Sequence, residues 1–180
     1  AHGGNCIGVN LDVTKQSAVH EFVCRNSIDI LVCNAGGVLG QVGQPLEEVS
    51  LQDWQAIFDV NATGVFTCAQ AVVPHMKARG GGHIMSIASG SSFRGYTKEV
   101  MYCAGKHAAE GFVKALALEA ALYNISLNTV GPGKTIKPTG LTGTQLEKTP
   151  EAIRAHWTDP AELGNGLVWL ASQPAGRFSG

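Results

Sequence analysis

Charge is scarce in this sequence, and what there is does not cluster. Thirteen Lys and Arg against 14 Asp and Glu make up 15% of 180 residues and leave a formal net charge of -1. With no basic patch or stripe, the chain lacks the electrostatic footprint of a nucleic-acid binder or of a protein held on an anionic membrane. Its five cysteines, Cys6, Cys24, Cys33, Cys68 and Cys103, show no C-x-x-C pair and no metal-ligand spacing, so no metal site is expected. Three of them fall inside apolar runs, where a reduced cysteine behaves as a small hydrophobe. That fits a reducing compartment and points to the cytoplasm. No signal peptide, transit segment or membrane span is expected.

What is present is a core. The chain is 44% hydrophobic, which at this length suffices for one domain. Glycine is frequent, 23 residues against a usual share of about 7%. Short apolar runs at Cys6–Leu11, Ile28–Cys33, His83–Ile87 and Ile125–Val130 read as strands. Between them lie helical patterns. Thr14 is placed to cap a helix carrying Val19, Phe22 and Val23 on one side. Ser50-x-x-Asp53 resembles a capping box ahead of a long helix from Leu51 to about Arg79, with a bend expected near Asn61 or before Pro74. A second long helix runs from Met101 to about Tyr123. Residues 134–149 are polar and Thr-rich. Thr149-Pro150-Glu151 and Asp159-Pro160 then start two further helices, the latter carrying Leu163, Leu167, Val168 and Leu170.

Strands that alternate with helices make a parallel sheet, and such sheets bind ligands beyond the carboxyl ends of their strands. Asp12, Asn34, Ser89 and Gly133 each follow an apolar run at such an end. The stretch around Ser89 adds chemistry. Tyr102 comes thirteen positions after Ser89, and Lys106 lies one helical turn beyond Tyr102 on the same helix face. An ammonium beside a phenol favours the phenolate, and is expected to lower the Tyr102 pKa from about 10 by roughly 1–3 units. A tyrosine so tuned exchanges a proton with a substrate oxygen near neutral pH, while a serine hydroxyl holds that oxygen. Ser86, Ser91 and Ser92 fit that holding role less well and read as loop or strand residues; His75 and His107 read as helix-surface or packing residues.

These features together resemble the short-chain dehydrogenase/reductase family along nearly the whole chain. Asp12-Val13 resembles the family's adenine contact, and Cys33-Asn34-Ala35-Gly36 its Asn-Asn-Ala-Gly stretch with Cys in the first place. Asn61, Ser89, Tyr102 and Lys106 match its catalytic Asn, Ser, Tyr and Lys, and Pro132-Gly133 its turn beside the nicotinamide. The resemblance implies a doubly wound, Rossmann-like α/β domain over residues 1–180 with a substrate lid at about 134–158, where His156 and Trp157 are candidates to touch substrate. It implies NAD or NADP as cofactor, a small carbonyl or alcohol as substrate, and hydride transfer between the two. Tyr102 would be the acid/base, and Lys106 would tune it and bind the nicotinamide ribose. Ser89 would hold the substrate oxygen, and Asn61 would position a water relaying protons from Lys106.

The chain departs from the family at both ends. The glycine-rich phosphate loop Thr-Gly-x-x-x-Gly-x-Gly is not in the sequence. The first two strands and the last strand of the family are expected to be missing. Where the family often has Thr four positions after the Pro-Gly turn, this chain has Lys137, leaving Thr135 or Thr139 for the carboxamide. The strand before Asp12 is then expected to stand apart from the other three, and the chain alone to bind NAD(P)H poorly and show no turnover. The alternative reading is a non-catalytic family member acting only through its association helices. Both long helices are apolar on nearly every side, which leads us to expect a homo-oligomer, dimer or tetramer, built on them.

Overall fold

The computed structural model describes residues 4–41, 43–133, 135–136 and 147–180. Three parallel strands, β1 (Ile30–Cys33), β2 (Gly82–Ile87) and β3 (Ile125–Val130), form one contiguous sheet in the order β1-β2-β3. Register pairs Ile30 with His83 and Gly82 with Ile125, so the carboxyl ends of all three strands come out on one edge. Parallel neighbours need long crossovers, and helices supply them.

Helix α1 (Gln16–Arg25) buries Val19 and Val23 and packs Phe22 on the core. Its start corrects the expected cap: Lys15 precedes the helix without a side-chain cap, and the Thr14 hydroxyl instead donates to Asp12 Oδ1 at 2.8 Å. The long run after Ser50 divides into α2 (Leu51–Phe58), a π turn (Asp59–Thr63) and α3 (Gly64–Arg79). Ser50 caps α2 as expected, accepting from the Asp53 amide at 3.0 Å. The bend falls at Asn61, and Pro74 stays inside α3. By length and composition Leu51–Arg79 would suffice to cross a membrane; here half of its apolar window is buried, as in a core helix. Helix α4 (Val100–Ala120) passes into a 3₁₀ turn at Ala121–Tyr123 and ends on left-handed Asn124. Side chains from α1, α3, α4, β2 and β3 make the core, with Met76, Ile84, Ile125 and Leu127 fully enclosed. Phe66 and Phe112 join α3 to α4 edge to face, 5.8 Å between ring centres.

One strand expectation needs correction. Cys6–Leu11 is not a strand: among the described residues nothing pairs with it, and Ile7 and Val9 are 86% and 55% exposed. A strand exists by virtue of its partner's hydrogen bonds, and an apolar run does not supply them alone. β1 is covered on one face, where Leu31 and Cys33 meet the core, while Ile30 and Val32 stand exposed on the other.

Beyond β3, short strands β4 (Thr135–Ile136) and β5 (Trp157–Thr158) pair in parallel, a feature the sequence did not announce. Lys137, Thr139 and the rest of residues 137–146 of the expected lid lie outside the described residues. Helix α5 (Glu151–Arg154) and α6 (Pro160–Ala171) start at the expected prolines. Val168 and Trp169 of α6 stay exposed, with Trp169 tilted against Phe178. The C-terminal tail lies along the outer edge of β3, where Gly180 N donates to Leu127 O at 2.8 Å and Gly176 N to Ser126 Oγ at 2.7 Å.

Candidate active site

The carboxyl ends of β1, β2 and β3 converge on Ser89, Tyr102, Lys106 and Asn61. Ser89 follows β2 directly, where Ala88 N donates to Val130 O at 3.0 Å and so ties the ends of β2 and β3 together. Its rotamer is set locally. Ser91 N donates to Ser89 Oγ at 3.2 Å, and Ser89 N donates to Ser92 Oγ at 3.1 Å. Ser91 and Ser92, both buried, are thus spent on holding Ser89. Tyr102 sits in the first turn of α4, near enough to Ser89 for the serine hydroxyl to stabilise its phenolate.

Lys106, one turn on, is buried, and its Nζ donates to the Ile87 carbonyl at 2.9 Å. It lies 5.8 Å from the centre of the Tyr102 ring. Burial holds the Lys106 pKa below the usual lysine value, and the field of Cys33 acts weakly against this. For Tyr102 the expected direction is overturned. Burial pushes the phenol above 10; the Ser89 hydroxyl pulls it down, and Glu99 and Cys103 push it up. The reason is geometric: the ammonium is committed to the Ile87 carbonyl, and a half-buried phenol loses more hydration on ionising than that distant charge returns.

Asn61 is completely buried within the π turn. Its Nδ2 donates to Gly37 O at 2.7 Å and Ile57 O at 2.8 Å, and its Oδ1 accepts from Gly37 N at 3.0 Å. What Asn61 visibly does is clamp the turn after β1. Two glycines admit that clamp. A Cβ on Gly36 would stand 2.8 Å from Asn61 Oδ1 and 3.5 Å from Lys106 Nζ; one on Gly105 would stand 3.1 Å from Asn61 Cβ. Gly105, between Tyr102 and Lys106, and the Ile87 carbonyl were missed in the sequence. Gly105 was readable as a small residue inside a helix, whereas the carbonyl left no sequence signal.

At the β1 side, Asp12 accepts from both the backbone and the hydroxyl of Thr14, which holds its carboxyl below the usual range with help from Lys15. Val13 packs on Gly64, where a Cβ would come within 2.8 Å of it. Val13, Cys33, Asn34 and Ala35 line one apolar cavity of about 230 Å³ with Leu11 and Cys68. The structure thus gathers Asp12, Val13, Asn34, Ala35 and Gly36 on one flank and Ser89, Tyr102 and Lys106 at the centre. Pro132 and Gly133 continue from the end of β3, where Gly133 has φ +68°; Thr135 is taken up in β4 against Trp157.

Comparison with known proteins decides the lineage. The family model described as short chain dehydrogenase matches residues 1–149. The chain belongs to this family. It is similar to 3-oxoacyl-(acyl-carrier-protein) reductase of Synechocystis sp., 32% identical over 185 residues, which cover 99% of this chain and 73% of that protein. Over other curated relatives the chain spans as little as 40% of their length. Among solved structures it is similar to a gluconate 5-dehydrogenase from Burkholderia cenocepacia in complex with NADP and tartrate, at 31% identity and a TM-score of 0.78, covering 90% of this chain and 66% of that one. It is also similar to carveol dehydrogenase from Mycobacterium avium in complex with NAD, at 26% identity and a TM-score of 0.82, covering 94% and 69%.

As a short-chain dehydrogenase the chain has a Rossmann-like parallel sheet and the family's NAD(P) chemistry to accommodate. The residues present fit the ribose–nicotinamide half of such a cofactor. A Cβ at Gly36 would crowd Asn61 and the Lys106 amine, so the glycine leaves that amine unobstructed on the turn after β1.

Proposed function

We propose that this chain carries the catalytic part of an NAD- or NADP-dependent oxidoreductase that interconverts a small carbonyl compound and its alcohol. The carrying observation is Tyr102 beside Ser89 on the carboxyl edge of the sheet, with Lys106 one helical turn on and anchored on the Ile87 carbonyl. When bound, the cofactor supplies or accepts the hydride. The protein's part is to place an oxygen and move a proton. With its pKa raised, Tyr102 is a neutral donor at physiological pH, suited to protonating a carbonyl oxygen as it gains charge. Ser89, fixed by its amide neighbours, holds that oxygen. The Lys106 ammonium, 5.8 Å from the ring centre, adds a modest preference for the phenolate left behind and reaches toward the nicotinamide ribose. Asn61 holds the turn at Gly37 and would position a water that relays protons from Lys106.

On the same reading, Asp12, Val13, Asn34, Ala35 and Gly36 border the adenosine half, while Pro132, Gly133 and Thr135 border the nicotinamide. Exposed Leu118 and Leu122 at the end of α4, with Leu51 and Phe66 on the neighbouring run, support a homo-oligomer built on these helices. All five cysteines are free thiols, in keeping with a cytoplasmic setting.

The test compares the chain alone with the chain joined to the glycine-loop segment of a relative. Reduced-nicotinamide fluorescence reports binding, and a panel of secondary alcohols and ketones reports turnover. The chain alone is expected to bind NADH and NADPH weakly, because no residue in it forms a glycine-rich phosphate loop. The joined protein is expected to turn over, and Tyr102→Phe to stop it while leaving cofactor affinity within about two-fold. Substantial activity in Tyr102→Phe would remove Tyr102 from the mechanism. Binding without turnover in the joined protein would favour a role through association alone.

A further inference from the structure

Cys33 and Cys68 meet where the end of β1 packs on α3. Both are free, both line the apolar cavity beside Asn34, and both pack against the core. Each thiol acts on the other's titration: Cys68 and burial push the Cys33 thiol well up, and Cys33 draws the Cys68 thiol down. The remaining cysteines do not share this arrangement, since Cys6 and Cys24 are exposed and Cys103 is buried on α4. Neither Cys33 nor Cys68 has a part in the proton chemistry at Tyr102.

Their position in the chain gives the contact a consequence. Cys33 is the residue before Asn34, at the root of the turn that Asn61 clamps through Gly37. Cys68 lies seven residues beyond Asn61, about two turns along the same helical run. A bond between the sulfurs would join that turn to that run a second time.

We propose that Cys33 and Cys68 are a dithiol–disulfide couple, a modification site that staples the root of the Asn34–Gly37 turn to α3. The oxidant is a low-molecular-weight disulfide. Cys68, the less buried of the two, gives up its proton, and its thiolate attacks one sulfur of the oxidant. A mixed disulfide forms, and one small thiol leaves carrying that proton. Cys33 then gives up its proton and attacks the Cys68 sulfur. The protein disulfide forms, and the second small thiol leaves with the second proton. Two protein thiols have lost two electrons, and one small disulfide has become two thiols. In a reducing compartment such a bond is transient, which is the behaviour of a sensor.

The experiment uses the 180-residue chain with Cys6→Ser and Cys24→Ser, so that the exposed thiols cannot bridge molecules. It is equilibrated in glutathione buffers from fully reduced to strongly oxidised, quenched by alkylation and mapped by peptide mass spectrometry, with melting followed in parallel. The expected result is one intramolecular Cys33–Cys68 bridge that raises Tm by about 4 °C or more and is reversed by dithiothreitol. Adding Cys33→Ser or Cys68→Ser should abolish the oxidative rise while leaving a cooperative melt in reducing buffer. If either serine variant fails to fold, the peptide map of the parent decides by itself. Alkylation of both Cys33 and Cys68 in the folded chain under the most oxidising buffer would overturn the proposal. So would a lasting glutathione adduct on Cys68 that Cys33 does not displace.

Discussion

Gly36→Ala should destabilise the protein through a single atom. The backbone at Gly36 lies outside the left-handed region, so the cost is steric and carries no conformational strain. The added methyl would stand 2.8 Å from Asn61 Oδ1, closer than carbon and oxygen tolerate. Asn61 has little room to yield. It is fully buried, and its amide is held by Gly37 N, Gly37 O and Ile57 O at 2.7–3.0 Å. Displacing it breaks the two bonds to Gly37, each worth about 1 kcal/mol net, and leaves buried polar atoms unmet at about 1–3 kcal/mol more. The sum is about 2–4 kcal/mol once partial relaxation is allowed, or a fall in Tm of about 4–16 °C for a chain of this size. Urea unfolding followed by tryptophan fluorescence and by circular dichroism measures it. The origin is checked by a double-mutant cycle, because in an Asn61→Gly background the methyl meets no amide oxygen and Gly36→Ala should cost under about 0.5 kcal/mol. Equal costs in both backgrounds, or a wild-type-like Gly36→Ala, would refute the reasoning.

Three further outcomes follow from the same geometry. Tyr102→Phe should lower turnover of the joined protein by about 10²–10⁴-fold or more, with melting unchanged within a few degrees, whereas Lys106→Ala should damage both turnover and cofactor affinity, seen in kinetics and fluorescence titration. Alkaline difference titration near 295 nm between the parent and Tyr102→Phe should place the Tyr102 phenol above 10; the stability its neutral form provides is whole below the unfolded tyrosine pKa and lost as pH rises through the raised folded value, so Tyr102→Phe should blunt the alkaline decline, and a Tyr102 midpoint at or below 10 would contradict this. Leu118→Glu with Leu122→Glu, at positions 81% and 88% exposed, should turn an oligomer at micromolar concentration into a monomer by sedimentation velocity while leaving the fold intact.

Much of this arrangement was readable from residue order, because it rests on local chemistry. Periodicity and turn residues put β3 at Ile125–Val130, and β2 was off by one residue. Ser50 announced a helix start through the Asp53 amide it would cap. The readings that failed depended on partners far away in sequence. Cys6–Leu11 has the composition of a strand and, among the described residues, no neighbour to make it one. Thr14 had a nearer acceptor in Asp12 than in the helix it was placed to cap. The direction of the Tyr102 shift turned on where Lys106 spends its hydrogen bond, and that is a backbone carbonyl nineteen residues away with no side-chain signature.

The π turn at Asp59–Thr63 has a bearing on how this chain tolerates changes in length. Ile57 and Val65 are both buried although eight residues apart, and a straight α-helix would set them roughly 80° out of phase. The wide turn absorbs that angle, so Ile57, Asn61 and Val65 look the same way, and the Ile57 carbonyl is taken by the Asn61 amide. The turn therefore works as a phase corrector between two stretches of helix. Deleting one residue from it would leave Ile57 and Val65 seven apart, which an unbroken α-helix sets within about 20° of each other. The Val65, Ala69, Val72 and Met76 stripe would then stay on the core, and the loss would fall on the widened turn that brings Asn61 onto Gly37. Repairing the local defect would thus keep the core and sacrifice the clamp.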